Sequence, residues 1–188
     1  MLYHISDLLT QLRNGNESAF RQLVETYQQK VLNTAVGMVQ DMGAAEDISQ
    51  EVFVTVYKNI LSFKEQSSLS TWIYRITVNK CLDHMRTKTR QKRGGLLSQL
   101  FNRADGTLPD NPDFVHPGVV LENREKAKYL FKAINTLPEN QRTVFVLVHI
   151  EDLPQKEVAE IMNMTVKAIE SLLQRAKANL RKVLGEMR

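Results

Sequence analysis

The apolar positions of this chain recur at intervals of three and four residues along most of its length, the period of an amphipathic helix. Four such segments precede residue 94 and four follow residue 120. The first is short, with Ser6 as a candidate cap, and stops near Gly15. Asn16, whose side-chain oxygen can accept from an unpaired first-turn N–H, opens a long second helix through Val39. A third spans residues 44–61, and a fourth spans 70–93 with Ser70 or Thr71 as its cap. Beyond residue 120, helices are predicted over 121–136, 139–150, 155–163 and 166–185. Pro138 and Pro154 fall at helix starts, where a missing N–H is tolerated. No segment shows sustained strand alternation between hairpin turns. The predicted fold class is all-α: two small helical domains joined by a flexible linker, the C-terminal one a helix-turn-helix.

The linker is read from punctuation. Residues 94–118 hold three of the five prolines and four of the eight glycines, which favours turning or extended backbone. Within this stretch Leu96, Leu97, Leu100 and Phe101 could form one short docking turn. The resulting domains are 1–93 and 121–188, with 94–120 between them. Charge follows the same division. Residues 1–93 carry twelve Lys and Arg against nine Asp and Glu, the linker one against three, and 121–188 twelve against nine. Two mildly basic blocks flank an acidic joint, a bias compatible with nucleic acid.

Several function classes lose support on composition. The N-terminus lacks a basic start followed by a long apolar stretch, and no run reaches the roughly 20 apolar residues of a membrane span. A cytoplasmic protein without membrane insertion is expected. Cys81 is the single cysteine, so no intrachain disulfide is possible. His4, His84, His116 and His149 are scattered, without partners at metal spacing, and there is no Gly-rich phosphate loop. No catalytic residue, metal or cofactor is predicted, and an enzyme is the class least supported.

The helix pair at the C-terminus carries the first candidate chemistry. Val158, Ala159 and Ile161 can pack inward, a turn follows at Met162, Asn163 and Met164, and Thr165 can cap the next helix. There Ile169, Leu172, Leu173, Ala176 and Leu180 form a buried stripe. The opposite face holds Lys167, Ser171, Gln174 and Ala178, flanked by Glu170, Arg175, Arg181 and Lys182. Small polar side chains in the middle with cations at the edges suit a recognition helix, which reads base edges while Arg and Lys hold phosphates. The same pattern also fits an ordinary amphipathic hairpin with a solvated basic face.

A second candidate surface lies on the fourth helix. Trp72, Arg75, Asn79, Asp83, Arg86 and Arg90 fall on one side of it. Aromatic faces stack on unpaired bases, and cations neutralise phosphate. The helix ends in five cations between residues 86 and 93 with no acid among them. The loop before it, residues 62–70, is rich in small residues and could line a pocket for one extruded base. Trp72 alone would equally serve as a core aromatic. The third helix is unusual in another way. Ile48, Val52, Phe53, Val54, Val56, Tyr57, Ile60 and Leu61 cover well over half its circumference, leaving a strip of Asp47, Gln50, Glu51, Thr55 and Lys58. Either this helix is central or it also meets a partner, which its acids would require to be protein.

Taken in order, these segments resemble the extracytoplasmic-function group of bacterial sigma factors over nearly the whole chain. Residues 45–53 (AEDISQEVF) are similar to the family's clamp-binding helix. Phe63 with residues 69–76 (LSTWIYRI) and Asn79 looks like its melting and −10 segment. Residues 137–142 (LPENQR), 157–161 (EVAEI) and 174–181 (QRAKANLR) resemble its fourth region and helix-turn-helix. The resemblance implies a binding factor that docks on core RNA polymerase and directs initiation at promoter DNA. Asp47, Gln50, Glu51 and Phe53 would meet the β′ clamp helices. Phe63, Lys64, Ser67, Ser68, Leu69, Trp72, Arg75, Asn79, Lys80 and Arg86 would bind the −10 element. Thr165, Val166, Lys167, Ala168, Glu170, Ser171, Gln174, Arg175 and Arg181 would meet the −35 element, with the β flap as a further polymerase partner and the acidic linker threading toward the active centre. An anti-sigma factor is a further implied partner. The family often has basic residues where Glu170 and Leu172 stand, so the bases read here stay open. A stand-alone helix-turn-helix regulator and a DNA-independent adaptor are the rival readings.

Overall fold

The computed structural model describes residues 5–101 and 124–186, with side chains for 7–91 and 129–185. All regular structure among the described residues is helical. The elements in chain order are α1 (Ile5–Arg13), α2 (Glu17–Val39), α3 (Met42–Asn59), a 3-10 turn (Ile60–Ser62), α4 (Leu69–Phe101), α5 (Arg124–Asn135), α6 (Glu139–His149), α7 (Gln155–Met162) and α8 (Val166–Glu186).

Local chemistry explains most helix starts. Asn16 Oδ1 accepts the Ala19 N–H at 3.1 Å, as its position predicts. Asp41 Oδ1 does the same for Ala44 at 3.1 Å, so α3 begins two residues earlier than its apolar period suggests. Ser6 lies inside α1, which has already begun at Ile5, and is not its cap. The cap of α4 is Ser68 rather than Ser70 or Thr71: its Oγ accepts the Thr71 N–H at 3.0 Å. Several hydroxyl residues stand close together here, and the Thr71 hydroxyl is itself paired with Ser68 Oγ at 2.8 Å. At its far end α4 continues through Gly94 and Gly95 to Phe101. Glycine weakens a helix interior by about 1 kcal/mol relative to alanine and does not forbid it. Leu96, Leu97, Leu100 and Phe101 therefore sit on the end of α4, their side chains outside the described residues. Residues 102–123 also lie outside.

α2, α3 and α4 pack around Leu23, Val31, Val52, Val56, Ile73 and Val78, with α1 covering one end through Leu9 and Leu12. In the C-terminal unit α6 packs against α8 and α7 crosses it. A smaller cluster of Phe131, Ile134, Leu137, Ala176 and Leu180 closes α5 onto α8. The two units are not separate bodies in this structure. Val144, Val146, Leu147, Val158 and Ile169 belong to the same contiguous apolar core as Val36, Met38 and Ile73. α2 packs on α6 and α4 on α7.

The seam depends on the last turns of α2. Residues 34–38 (TAVGM) are all buried, so this end of the helix has no solvent face and is enclosed by both units. At Gly37 an added Cβ would lie 3.0 Å from Val146 Cγ1, so any larger residue would crowd the approach of α2 to α6. Gln40 ends α2 in the left-handed region (φ 53°), and its side-chain amide donates to Phe131 O at 2.7 Å across the seam. Arg142, buried at the start of α6, donates to Met38 O at 3.0 Å and to the carbonyls of Asn135 and Leu137. One guanidinium thus satisfies carbonyls at the ends of α2 and α5, which would otherwise be unpaired.

Replacing Arg142 with alanine leaves those buried carbonyls without a donor. The expected cost in the full chain is roughly 2–4 kcal/mol of unfolding free energy, read as a lower urea midpoint. A loss below about 0.5 kcal/mol would show that water replaces the guanidinium at no cost.

Candidate nucleic-acid interfaces

Three surfaces carry the predicted site residues. On α3, Asp47, Gln50 and Glu51 are exposed together and line an open groove with Val54, Thr55, Lys58, Asn59 and Lys80. Lys80 pairs with Glu51 at 2.8 Å. It therefore stands on the α3 side of α4 and is not brought together with Trp72 and Arg75, from which it lies roughly 80° and 140° away around the helix. Phe53 is half-buried, packing against the core one turn beyond the exposed Gln50. The wide apolar face of α3 is only partly explained by a central position. Ile48, Val52 and Val56 are buried, whereas Val54, Tyr57 and Leu61 are 51%, 57% and 72% exposed.

The second surface is the start of α4 and the loop before it. Phe63 and Leu69 are buried and anchor the loop from below, while Lys64 and Ser68 are exposed and Ser67 half-buried. Ser68 is committed to capping. Trp72 is half-buried and packs on Phe63 with ring centroids 5.0 Å apart, so it is both a core aromatic and a partly open ring. Arg13 holds the loop: it donates to Phe63 O at 2.9 Å and pairs with Glu65 at 2.8 Å, where Glu65 adopts a left-handed φ of 56°. Sequence reasoning had no signal for Arg13, which lies fifty residues from its partner.

Further along α4 the predicted stripe turns toward the C-terminal unit. Arg75 Nη2 donates to Glu160 O at 2.8 Å, Tyr74 OH to Glu151 Oε2 at 3.0 Å, and Arg86 Nε approaches Glu139 Oε2 at 3.4 Å. Asn79, Asp83 and Arg90 remain exposed.

The third surface is the helix pair α7–α8. Asn163 takes the left-handed conformation (φ 52°) and the Met164 N–H returns to Ala159 O at 2.9 Å, closing α7 with a tight turn. Thr165 Oγ1 accepts the Ala168 N–H at 3.2 Å, the predicted cap. Ile169, Leu173, Ala176 and Leu180 are buried and Leu172 half-buried. Thr165, Val166, Lys167, Glu170, Gln174, Arg175 and Arg181 are exposed, and Ala168 and Ser171 half-buried. The face assigned to base reading is therefore open to solvent.

Electrostatics sets these surfaces apart. Burial raises the Glu151 carboxyl to about 6, with the Tyr74 hydroxyl and Lys30 opposing that rise. Its Oε1 has no hydrogen-bond partner. Burial, then Glu151, pushes the Tyr74 hydroxyl up as well. Burial raises the Cys81 thiol to about 12, which leaves it unreactive at neutral pH. Among the described residues no group of three or more His, Cys, Asp or Glu could hold a metal, and no helix is long and apolar enough to cross a membrane.

Comparison with known proteins is decisive. Residues 23–91 match the sigma-70 region 2 model and residues 127–180 the sigma-70 region 4 model. The ECF RNA polymerase sigma factor SigW of Bacillus subtilis is 31% identical over 191 residues, covering 97% of this chain and 98% of that protein. The chain belongs to the extracytoplasmic-function sigma factors. The ECF RNA polymerase sigma-E factor of Escherichia coli K12 is 28% identical, over 90% of this chain and 88% of its own. The fold of this sigma factor is shared with CnrH, solved in complex with the cytosolic domain of CnrY (TM-score 0.69, 24% identity, 95% of this chain and 96% of that one). It is also shared with RpoE of Bartonella quintana, solved with the anti-sigma factor NepR (TM-score 0.64, 22% identity, 90% and 98%). The region 2 match takes in most of α2, all of α3 and α4 to residue 91; the region 4 match runs from within α5 into α8.

Glu151 gives this sigma factor a pH dependence of defined sign. Its carboxyl faces Tyr74 on α4 and Lys30 on α2, with Tyr27 and Glu157 close enough to act on Tyr74. The folded chain holds the proton more tightly than the unfolded chain does. Folding is favoured below the ordinary carboxyl range, loses stability as pH rises through about 6, and levels off above. Glu151→Gln keeps an acceptor for Tyr74 and cannot ionise. Relative to the wild type it should gain urea resistance between pH 5 and pH 7.5, and parallel profiles would contradict this.

Proposed function

We propose that this chain binds core RNA polymerase in the cytoplasm and directs promoter-specific initiation of transcription. The observation that supports this most is the presence of both sigma regions, in order, in one chain whose SigW relative aligns along nearly its full length. Its work is binding rather than chemistry. The helical units on either side of the linker act as two DNA-reading ends, and the first of them extends along α4 to Phe101.

The exposed acids and amide of α3, Asp47, Gln50 and Glu51, dock on the β′ clamp helices. The open apolar residues Val54, Tyr57 and Leu61 supply the desolvated area that a stable protein contact needs. The loop 63–69 and Trp72 hold a base extruded from the −10 element. Stacking there offsets part of the few kcal/mol that unstacking costs. Arg75, Asn79 and Arg86 follow the strand beyond it. The outer face of α8 enters the major groove at the −35 element, with Arg175 and Arg181 on phosphates and Lys167, Ser171 and Gln174 at base edges. An anti-sigma factor that covers the polymerase-binding surfaces would hold the chain inactive.

Charge reversal of Arg175 and Arg181 tests the assignment of α8. Both side chains are exposed, so the double variant should fold and bind core polymerase as the wild type does. Promoter-specific transcription by the reconstituted holoenzyme should fall at least tenfold, given that each lost phosphate contact weakens binding and each reversal adds repulsion. Undiminished transcription from a −35-dependent promoter would remove α8 from that role. Trp72→Ala should impair promoter opening more than closed-complex binding in a permanganate footprint. Equal loss of both would contradict a role in strand capture.

A further inference from the structure

We infer that Arg13 is a positioning residue for base capture: from the end of α1 it fixes the loop 63–69 in the shape that receives the extruded base. This rests on the assignment of that loop to the −10 element given above. Arg13 lies ahead of residues 23–91, the part of the chain that matches sigma-70 region 2. Its guanidinium Nη2 donates to Phe63 O at 2.9 Å and pairs with Glu65 Oε1 at 2.8 Å. The two ends of the loop are held by other means. Phe63 is buried against Trp72, with its N–H on Ile60 O at 3.2 Å, and Ser68 and the buried Leu69 open α4. Between them, over residues 64–67, the Arg13–Glu65 pair is the one polar contact among the described residues. Glu65 there takes a left-handed φ of 56°, which a residue with a Cβ keeps only where its surroundings hold it.

The anchor itself is firmly held. Leu9 and Leu12 bury α1 against the core. Gly15 (φ 71°) then ends the helix, with its N–H on Leu12 O at 3.1 Å and the Asn16 N–H on Gln11 O at 3.0 Å, and Asn16 at once caps α2. Arg13 therefore projects from a turn closed on both sides. The pair with Glu65 also has an electrostatic use. Glu65 is the one acid in residues 62–70 and stands beside Lys64. Left alone it would repel a strand's phosphates; paired with Arg13 it does not, and Lys64 sets the sign of the loop. A loop already in its receptive shape loses little ordering entropy when the base arrives. Without Arg13 it samples other shapes, and capture weakens in proportion to the fraction that stays competent.

The test uses the full chain in reconstituted holoenzyme, on a promoter mapped from its own transcripts. Arg13→Met keeps the aliphatic stem and removes both contacts. The side chain is 37% exposed, so this variant should fold. Arg13→Ala carries the measurement if it does not, as judged by circular dichroism. Templates carry an abasic site at each −10 position of the non-template strand in turn, and a permanganate footprint reads opening. In the wild type one position should stand out, its abasic template opening roughly tenfold less than the intact one, the size expected of one lost stacking contact. On the intact promoter the variant should open roughly tenfold less than the wild type, as for a competent fraction of about 10%. On the template abasic at that position the two should agree within about twofold, because an empty loop has nothing to position. Core binding should be unchanged. Equal losses on both templates, the mark of a merely structural role, overturn the proposal and leave the loop as the base pocket. Undiminished opening on the intact promoter, or weakened core binding by a folded variant, also overturns it. A wild type in which no position stands out overturns both the proposal and the base-capture reading.

Discussion

The close approach of α2 to α6 is the constraint on which the rest of this structure depends. The last turns of α2 carry no charge and no solvent face, and Gly37 lets them run against Val146. Once that contact forms, the other seam contacts follow from geometry. Arg142 reaches the end of α2, Gln40 reaches the end of α5, and α7 comes to lie across α4. A single apolar core then runs through both units. Burial is the driving term. Each fully buried Val, Met or Ile contributes about 1.5–3 kcal/mol, and the polar contacts chiefly decide which register is allowed.

That constraint has a functional cost and a functional use. The polar part of the seam, hydrogen bonds to backbone carbonyls and one part-buried carboxylate, is specific, yet each of its contacts has only modest net worth. Two domains held this way can exchange their mutual contacts for polymerase and DNA. The contrast between surfaces matters here. The α3 groove and the outer face of α8 are open, while the centre of the α4 stripe is engaged.

Much of this was legible in the sequence. Helical period, the Asn16 and Thr165 caps and the turn at Asn163 follow from local rules, and the structure reproduces them. The exposed polar face of α8 emerges from the same periodicity, because a helix on the outside of a small domain must bury one stripe and expose the other. Where local signals were degenerate the reading slipped. Neighbouring serines hid Ser68 as the cap of α4, and Gly94–Gly95 looked like a break although the helix passes through them. Lys80, grouped with Trp72 by motif, instead pairs with Glu51 on the α3 side. What the sequence could not announce was the seam. Gln40 meets Phe131, Arg142 meets Met38 and Arg75 meets Glu160 across 85 to 104 residues. One signal was present in residues 34–39 (TAVGMV): an uncharged run at the end of an otherwise amphipathic helix marks a segment enclosed on all sides.

The central claim is that two DNA-reading ends of one chain are put in place by polymerase. Mapping the 5′ ends of transcripts made on genomic DNA, by core polymerase with and without this chain, tests it most directly. The account predicts new start sites that depend on the chain and share two upstream elements at a fixed spacing. Identical start sites with and without it, or new sites sharing only one element, would contradict it.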